Sequence, residues 1–292
     1  MKILHLTATA RRCGISNFGV QMSAALEKAG HSVLTWDIEY SHMYALIQQG
    51  LPAYLPEAAW TYDVVHHNWH PITSNTFGPG HFEGLPLVSV YLNDIPPWSG
   101  CPFHDRADVR FTAEPSPGCV VLPYPIADWV EDLPEPTESF SVGVAGVRGD
   151  GIWRVREVCA KYGWEVIEPP REGWLPFDDA VRHQARATVN VQWYFEGRGK
   201  SGGASQAIAS RRPVLLNHSQ MFSHYHDYAD CLYFREDLES ALLELHRDWG
   251  QGTLRFPDRV IAERGWLSWG VPLFVDTWEG VRNGRVAGTT QV

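Results

Sequence analysis

Residues 188–217 read TVNVQWYFEGRGKSGGASQAIASRRPVLLN. The run Thr188-Val189-Asn190-Val191-Gln192-Trp193 is β-branched and aromatic, which suits a pleated strand. Glu196-Gly197-Arg198-Gly199-Lys200-Ser201-Gly202-Gly203 follows as a glycine-rich loop. Residues 204–210 predict a helix, and Arg211-Arg212-Pro213 closes it because proline cannot continue the backbone hydrogen bonding. Val214-Leu215-Leu216-Asn217 begins another strand. A glycine-rich loop feeding a helix presents backbone N–H groups and the positive end of the helix dipole. An anion, most simply a phosphate, fits there, and Arg198 and Lys200 add charge. The same spacing also describes a glycine-rich turn with a solvated basic edge.

The pattern begins at the other end of the chain. Lys2 to Thr7 reads as a strand, residues 9–16 as a loop with Arg11, Arg12, Cys13 and Gly14, and residues 17–29 as a helix. In that helix Phe18, Met22, Ala25, Leu26 and Ala29 recur every three or four residues, so one face packs on a sheet. Gly30 ends it by taking a left-handed conformation, and residues 31–36 form the next strand. Such a β-loop-α-β unit opens a parallel, doubly wound sheet. The full G-x-G-x-x-G fingerprint is missing, so a nicotinamide or flavin cofactor is not indicated. The order repeats from Phe140: a strand to Gly146, a helix over 151–162 and a strand over 164–167. Between the two halves, residues 127–139 are acidic and proline-containing, the composition of a domain linker. The reading is α/β, with two Rossmann-like domains at 1–133 and 134–275 and a tail at 276–292 returning towards the first.

At 292 residues and 44% hydrophobic content, the chain can bury a proper core. A net charge of −10 argues against a general nucleic-acid binder, without excluding a local basic groove. Five cysteines with no Cys-x-x-Cys favour a reducing compartment over a disulfide framework or zinc site. The first residues are too short and polar-interrupted for a signal peptide, and no apolar run approaches roughly 18 residues. The expectation is a cytoplasmic protein without a membrane span. His66, His67 and His70 invite a metal site, but their spacing is not that of a helix-borne pair and no carboxylate follows close by. A mixture of cleft-facing and packed histidines fits them better.

Several of these segments carry a family resemblance. Met1-Lys2-Ile3-Leu4-His5-Leu6-Thr7, Cys13-Gly14-Ile15-Ser16-Asn17-Phe18 and Ala29-Gly30-His31-Ser32-Val33 resemble the opening of GT-B glycosyltransferases. Within that fold the chain looks like the retaining, nucleotide-sugar-dependent glycosyltransferase family four. Tyr62-Asp63-Val64-Val65-His66-His67-Asn68, Leu85-Pro86-Leu87-Val88-Ser89-Val90-Tyr91-Leu92-Asn93-Asp94 and Arg211-Arg212-Pro213-Val214-Leu215 continue the likeness. So do Glu196-Gly197, where the family's paired-glutamate motif begins, and the late Ser268-Trp269.

The resemblance implies two domains facing a cleft, a nucleotide-sugar donor such as a UDP-sugar on the C-terminal domain, and no metal or other cofactor. Arg148, Lys200, Ser201, Gly202 and Gly203 then meet the donor diphosphate, and Glu196 and Gln206 its ribose. Gly14 matches the family's glycine close to the donor phosphates and, with His66, Asn93 and Asp94 as the candidate catalytic residues, lines the acceptor side; the acceptor is a small molecule, a glycan or a modified DNA base. Three positions depart from the family. Asn93 replaces a histidine and cannot act as an acid. Asp150 stands where a lysine precedes glycine, and Gln206 replaces the second glutamate at a longer spacing. Those departures keep a catalytically inactive sugar-nucleotide-binding module open as an alternative.

Overall fold

The computed structural model describes residues 1–9, 14–38, 57–69, 83–92, 107–144, 150–170, 175–194 and 201–284. The chain divides into two units, residues 1–123 with 269–292, and residues 124–268. In the first, β1 (Lys2–Thr7) leads through α1 (Gly14–Lys28) to β2 (Ser32–Asp37). Then come β3 (Val64–Trp69), β4 (Val88–Leu92), β5 (Val109–Thr112) and β6 (Val120–Val121). All pairs are parallel, in the order β2-β1-β3-β4-β5-β6. β3 and β4 are buried along their whole length, as expected of strands covered on both faces. Leu4, Leu6, Val65, Trp69, Val88, Val90 and Leu92 pack on one face.

α1 begins at Gly14, three residues before the expected start. Its end is as the sequence predicts. Gly30 has φ 85°, the Gly30 N–H donates to the Glu27 carbonyl and the His31 N–H to the Leu26 carbonyl. This left-handed cap satisfies carbonyls that the helix itself leaves open.

The second unit holds β7 (Ser141–Val144), α2 (Asp150–Tyr162), β8 (Glu165–Ile167), α3 (Phe177–Ala185) and β9 (Val189–Gln192). It continues with α4 (Gly202–Ala209), β10 (Val214–Leu216), β11 (Tyr233–Phe234), α5 (Leu238–Gln251) and α6 (Asp258–Arg264). Its sheet is also parallel, in the order β11-β10-β9-β7-β8. α5 buries Leu238, Ala241, Leu242 and Leu245 on one face, is capped by the Asp237 side chain and ends at Gly252 in the left-handed region.

α7 (Val271–Arg282) belongs to the first unit, so the division falls at 268/269 rather than 275/276. The reason lies in its buried stripe. Val271, Phe274 and Trp278 are buried, Phe274 packs on Phe111 of β5 with ring centroids 4.3 Å apart, and Trp278 Nε1 donates to Ser89 Oγ of β4 at 2.9 Å. The first division also lies earlier than the composition suggests, at 123/124. Residues 127–139 are acidic on their exposed side, but Ile126, Ala127 and Val130 are buried in the second unit's core.

That segment is also fastened there. The Ile126 N–H donates to the Arg264 carbonyl and the Trp266 N–H to the Ile126 carbonyl, both at 2.8 Å. The Asp128 carboxylate accepts the N–H groups of Leu267 and Ser268 at 3.1 and 3.0 Å. Ser268 is therefore inside a π-helical turn, Trp266–Gly270, and does not cap the helix that follows. The last helix starts at Val271, with proline in its first turn.

Candidate functional site

In an open parallel sheet, ligands collect at the carboxyl ends of the strands where successive crossovers leave in opposite directions. The strand orders locate that point in each unit. In the second unit β7 lies between β8 and β9, so the chain leaves β7 to one side and returns on the other. The switch is at the β7/β9 boundary. Residues 145–149 follow β7 and residues 195–200 follow Tyr194, just after β9. Arg148, Glu196 and Lys200 belong to those two stretches and lie outside the described residues.

The far end of the second stretch is described. Ser201 has an extended backbone and is 2% exposed, and its Oγ accepts the Ala204 N–H at 3.2 Å. It is the N-cap of α4, leaving the remaining first-turn N–H groups without helical partners. Gly202 and Gly203 form that first turn, and Ser205 Oγ donates to the Gly202 carbonyl at 2.9 Å. Ala204, Ala207 and Ile208 are fully buried, so small side chains seat this helix closely in the core. Gln206 is half-buried on the same helix. Arg212, in the segment resembling the family's closing motif, is spent on structure. Its guanidinium donates to the carbonyls of Ala185 at 2.8 Å and Pro134 at 2.5 Å.

In the first unit the switch lies at the β1/β3 boundary. Two fully buried residues bridge it, with Asn68 Nδ2 donating to Thr7 Oγ1 at 2.9 Å. A Cβ at Gly19 of α1 would stand 2.0 Å from Thr7 Oγ1, so α1 reaches this point only because position 19 carries no side chain. Thr9 donates from its hydroxyl to the Asp37 carboxylate at the end of β2. Gly14 opens α1 at the same edge. Asn93 and Asp94 follow β4 directly and lie outside the described residues. Thr7, Asn68 and Asp37 were not singled out from the sequence. Their signal was positional: each is a polar residue at the carboxyl end of a strand.

His66 is placed differently from expectation. It is fully buried, with Nδ1 hydrogen-bonded to Ser89 Oγ at 2.9 Å. Its ring centroid lies 5.4 Å from that of His5, 5.3 Å from Phe274 and 5.7 Å from Trp278. It has no surface that an acceptor could touch. Burial holds it well below the usual histidine range, and its two histidine neighbours push the same way. Desolvation likewise pulls His5 and His67 down to about 3. All three rings are neutral, packed groups. Among the described residues no cluster of His, Cys, Asp and Glu is arranged to hold a metal ion, and no helix is long and apolar enough to cross a membrane.

No protein-family model matches the sequence, and no curated protein is similar to it at the level of sequence. Solved structures are similar in fold. AviGT4, a glycosyltransferase involved in avilamycin A biosynthesis, superposes with a TM-score of 0.64 at 13% identity, over 97% of this chain and 98% of that one. An α-glucosyltransferase in complex with UDP and a 13-mer DNA gives 0.64 at 11% identity, over 95% and 99%. HepE of Anabaena in complex with UDP-glucose gives 0.59 at 10% identity, over 94% and 99%. Likeness across nearly the whole length of each, in a chain of two parallel α/β units, shows that this protein has the GT-B glycosyltransferase fold.

Proposed function

We propose that the chain is a glycosyltransferase that moves a sugar from a UDP-linked donor to an acceptor hydroxyl, with retention and without a metal. The observation that carries this reading is the β7/β9 switch point, where a glycine-rich basic stretch runs into the serine-capped N-terminus of α4. A nucleoside diphosphate matches it chemically, since first-turn N–H groups and cations both favour phosphate oxygens. Two of the structurally similar enzymes hold UDP or UDP-glucose. As the sugar departs, negative charge grows on the diphosphate. Arg148, Lys200 and the amides of Gly202 and Gly203 stabilise it, while Glu196 and Gln206 accept the ribose hydroxyls. Gly14, Asn93 and Asp94 form the acceptor side. His66 supports that side from beneath as a buried core residue.

Calorimetric titration and thermal-shift measurements test the donor. UDP and UDP-glucose are expected to raise the melting temperature, NAD to leave it unchanged, and EDTA to change neither binding nor turnover. A shift with NAD alone overturns the reading, and activity lost in EDTA but restored by a divalent cation overturns the metal-free mechanism. Site roles are tested by Arg148→Ala, Lys200→Ala and Glu196→Ala. Each removes a charge-assisted contact worth about 1.5–3 kcal/mol, which corresponds to roughly tenfold to a hundredfold weaker UDP-sugar binding. Affinity unchanged in all three with the fold intact removes them from the site. For the acceptor, a modified DNA base is a second reading, favoured by the similar α-glucosyltransferase that holds DNA and opposed by the net charge of −10. Transfer onto hydroxymethylated DNA at low salt decides it.

A further inference from the structure

The Asn217 side chain is built into the main chain of the neighbouring strand. β9 and β10 run in parallel register as far as Gln192 and Leu216. Beyond that pair the strand ladder stops and Asn217 takes over. Its Nδ2 donates to the Tyr194 carbonyl at 2.6 Å, and its Oδ1 accepts the Tyr194 N–H at 3.3 Å. A primary carboxamide carries a donor and an acceptor in one plane, so it imitates the two-way pairing of a peptide group. The Tyr194 ring meanwhile packs on Phe222, with centroids 5.7 Å apart, at the edge of the second unit's core. Both the main chain and the side chain of Tyr194 are thereby held.

Tyr194 is the residue from which residues 195–200 depart, and Ser201, the cap of α4, is where they end. That stretch contains Gly197 and Gly199 and runs into Gly202 and Gly203. Fixing the backbone at a binding site before the ligand arrives lowers the ordering cost of binding. We infer that Asn217 is a positioning residue for donor binding: it fixes the main chain at Tyr194, just past the carboxyl end of β9 and beside the β7/β9 switch point. The inference rests on the proposed donor site. No other residue type of this size does the same. Aspartate would turn an oxygen towards the Tyr194 carbonyl, serine can keep only one of the two bonds, and alanine keeps neither.

The test compares wild type, Asn217→Ala and Asn217→Asp by UDP titration, steady-state kinetics with UDP-glucose, melting temperature, and hydrogen exchange of the ligand-free protein over residues 188–201. Both variants are expected to bind UDP about tenfold more weakly, a difference of about 1.4 kcal/mol. KM for the donor rises in step while kcat changes less than about twofold, because the residue touches no reacting atom. Exchange accelerates within that peptide, and the melting temperature moves little. UDP affinity within about twofold of wild type, with only the melting temperature lowered, overturns the inference and leaves Asn217 a purely structural group. Wild type that binds neither UDP nor UDP-glucose sinks the donor-site reading and the inference with it, whereas wild type that binds beside unaffected variants sinks the inference alone. If Asn217→Ala does not fold, Asn217→Ser retains one bond and supplies the same comparison.

Discussion

Between about pH 7 and about pH 5 the first unit is expected to lose about 4 kcal/mol of stability to two histidines. His5 and His67 are fully buried, and desolvation places their native pKa at about 3, against 6.5 in the unfolded chain. Below 6.5 the unfolded state therefore binds protons that the native state refuses, and stability falls as pH falls, until the native rings titrate near 3. At pH 5 each ring costs about 2 kcal/mol, from 1.36 kcal/mol per pH unit. His66 acts in the same direction. Burial is the largest cause for all three, and neighbouring histidines add to it for His66 and His67. A loss of that size is a large part of a typical domain's total stability.

Denaturant unfolding at the two pH values, followed by hydrogen exchange in β1 and β3, measures it. His5→Asn retains a polar atom towards Ser23 Oγ, which lies 2.8 Å from His5 Nδ1, and removes the titration. Whatever its absolute stability, its acid loss is expected to be about 2 kcal/mol smaller than that of wild type, with His66 and His67 still contributing. Equal stability of wild type at both pH values, or an unchanged slope in the variant, refutes the account.

These histidines also show where sequence reading stops. The alternation of strand and helix in both halves was legible because it rests on local period and on punctuation such as Gly30 and Pro213. The glycine-rich entry to α4 was legible for the same reason. The environment of His66 was not. A polar residue near the end of a buried strand reads alike whether it faces a ligand or the underside of α7, and only the return of Phe274 and Trp278 from the end of the chain decides it. The acidic, proline-containing segment at 127–139 misled in a similar way. Glu131, Asp132, Glu135 and Glu138 are exposed, but Ile126, Ala127 and Val130 share a core with residues over a hundred positions away, such as Val260 and Ile261. Asn217 reads as part of the strand that begins at Val214, and nothing local announces that its amide is spent on Tyr194.

Gly143→Ala is expected to destabilise the second unit by about 2–5 kcal/mol. Alanine normally improves on glycine inside a strand, so the sign of this prediction comes wholly from a close approach. Gly143 pairs with Asn190 across β7 and β9 and with Ile167 of β8. A Cβ there would stand 2.1 Å from Asn190 Oδ1 and 2.9 Å from Ala187 Cβ. Asn190 cannot yield cheaply. It is fully buried, and its Nδ2 donates to Ser210 Oγ at 2.9 Å and to the Gln184 carbonyl at 3.4 Å, tying β9 to the ends of α3 and α4. Pushing that amide aside breaks buried hydrogen bonds and overfills a packed space at once. Asn190→Ala removes the obstructing amide, the nearest obstacle, and leaves Ala187 Cβ at 2.9 Å, so the two substitutions are expected to couple. In a double-mutant cycle Gly143→Ala should cost at least about 1 kcal/mol less beside Asn190→Ala than alone. Strictly additive costs, or an alanine variant as stable as wild type, would show that β7 and β9 have slack where the structure has none, and the geometry of the β7/β9 switch point would then need revision.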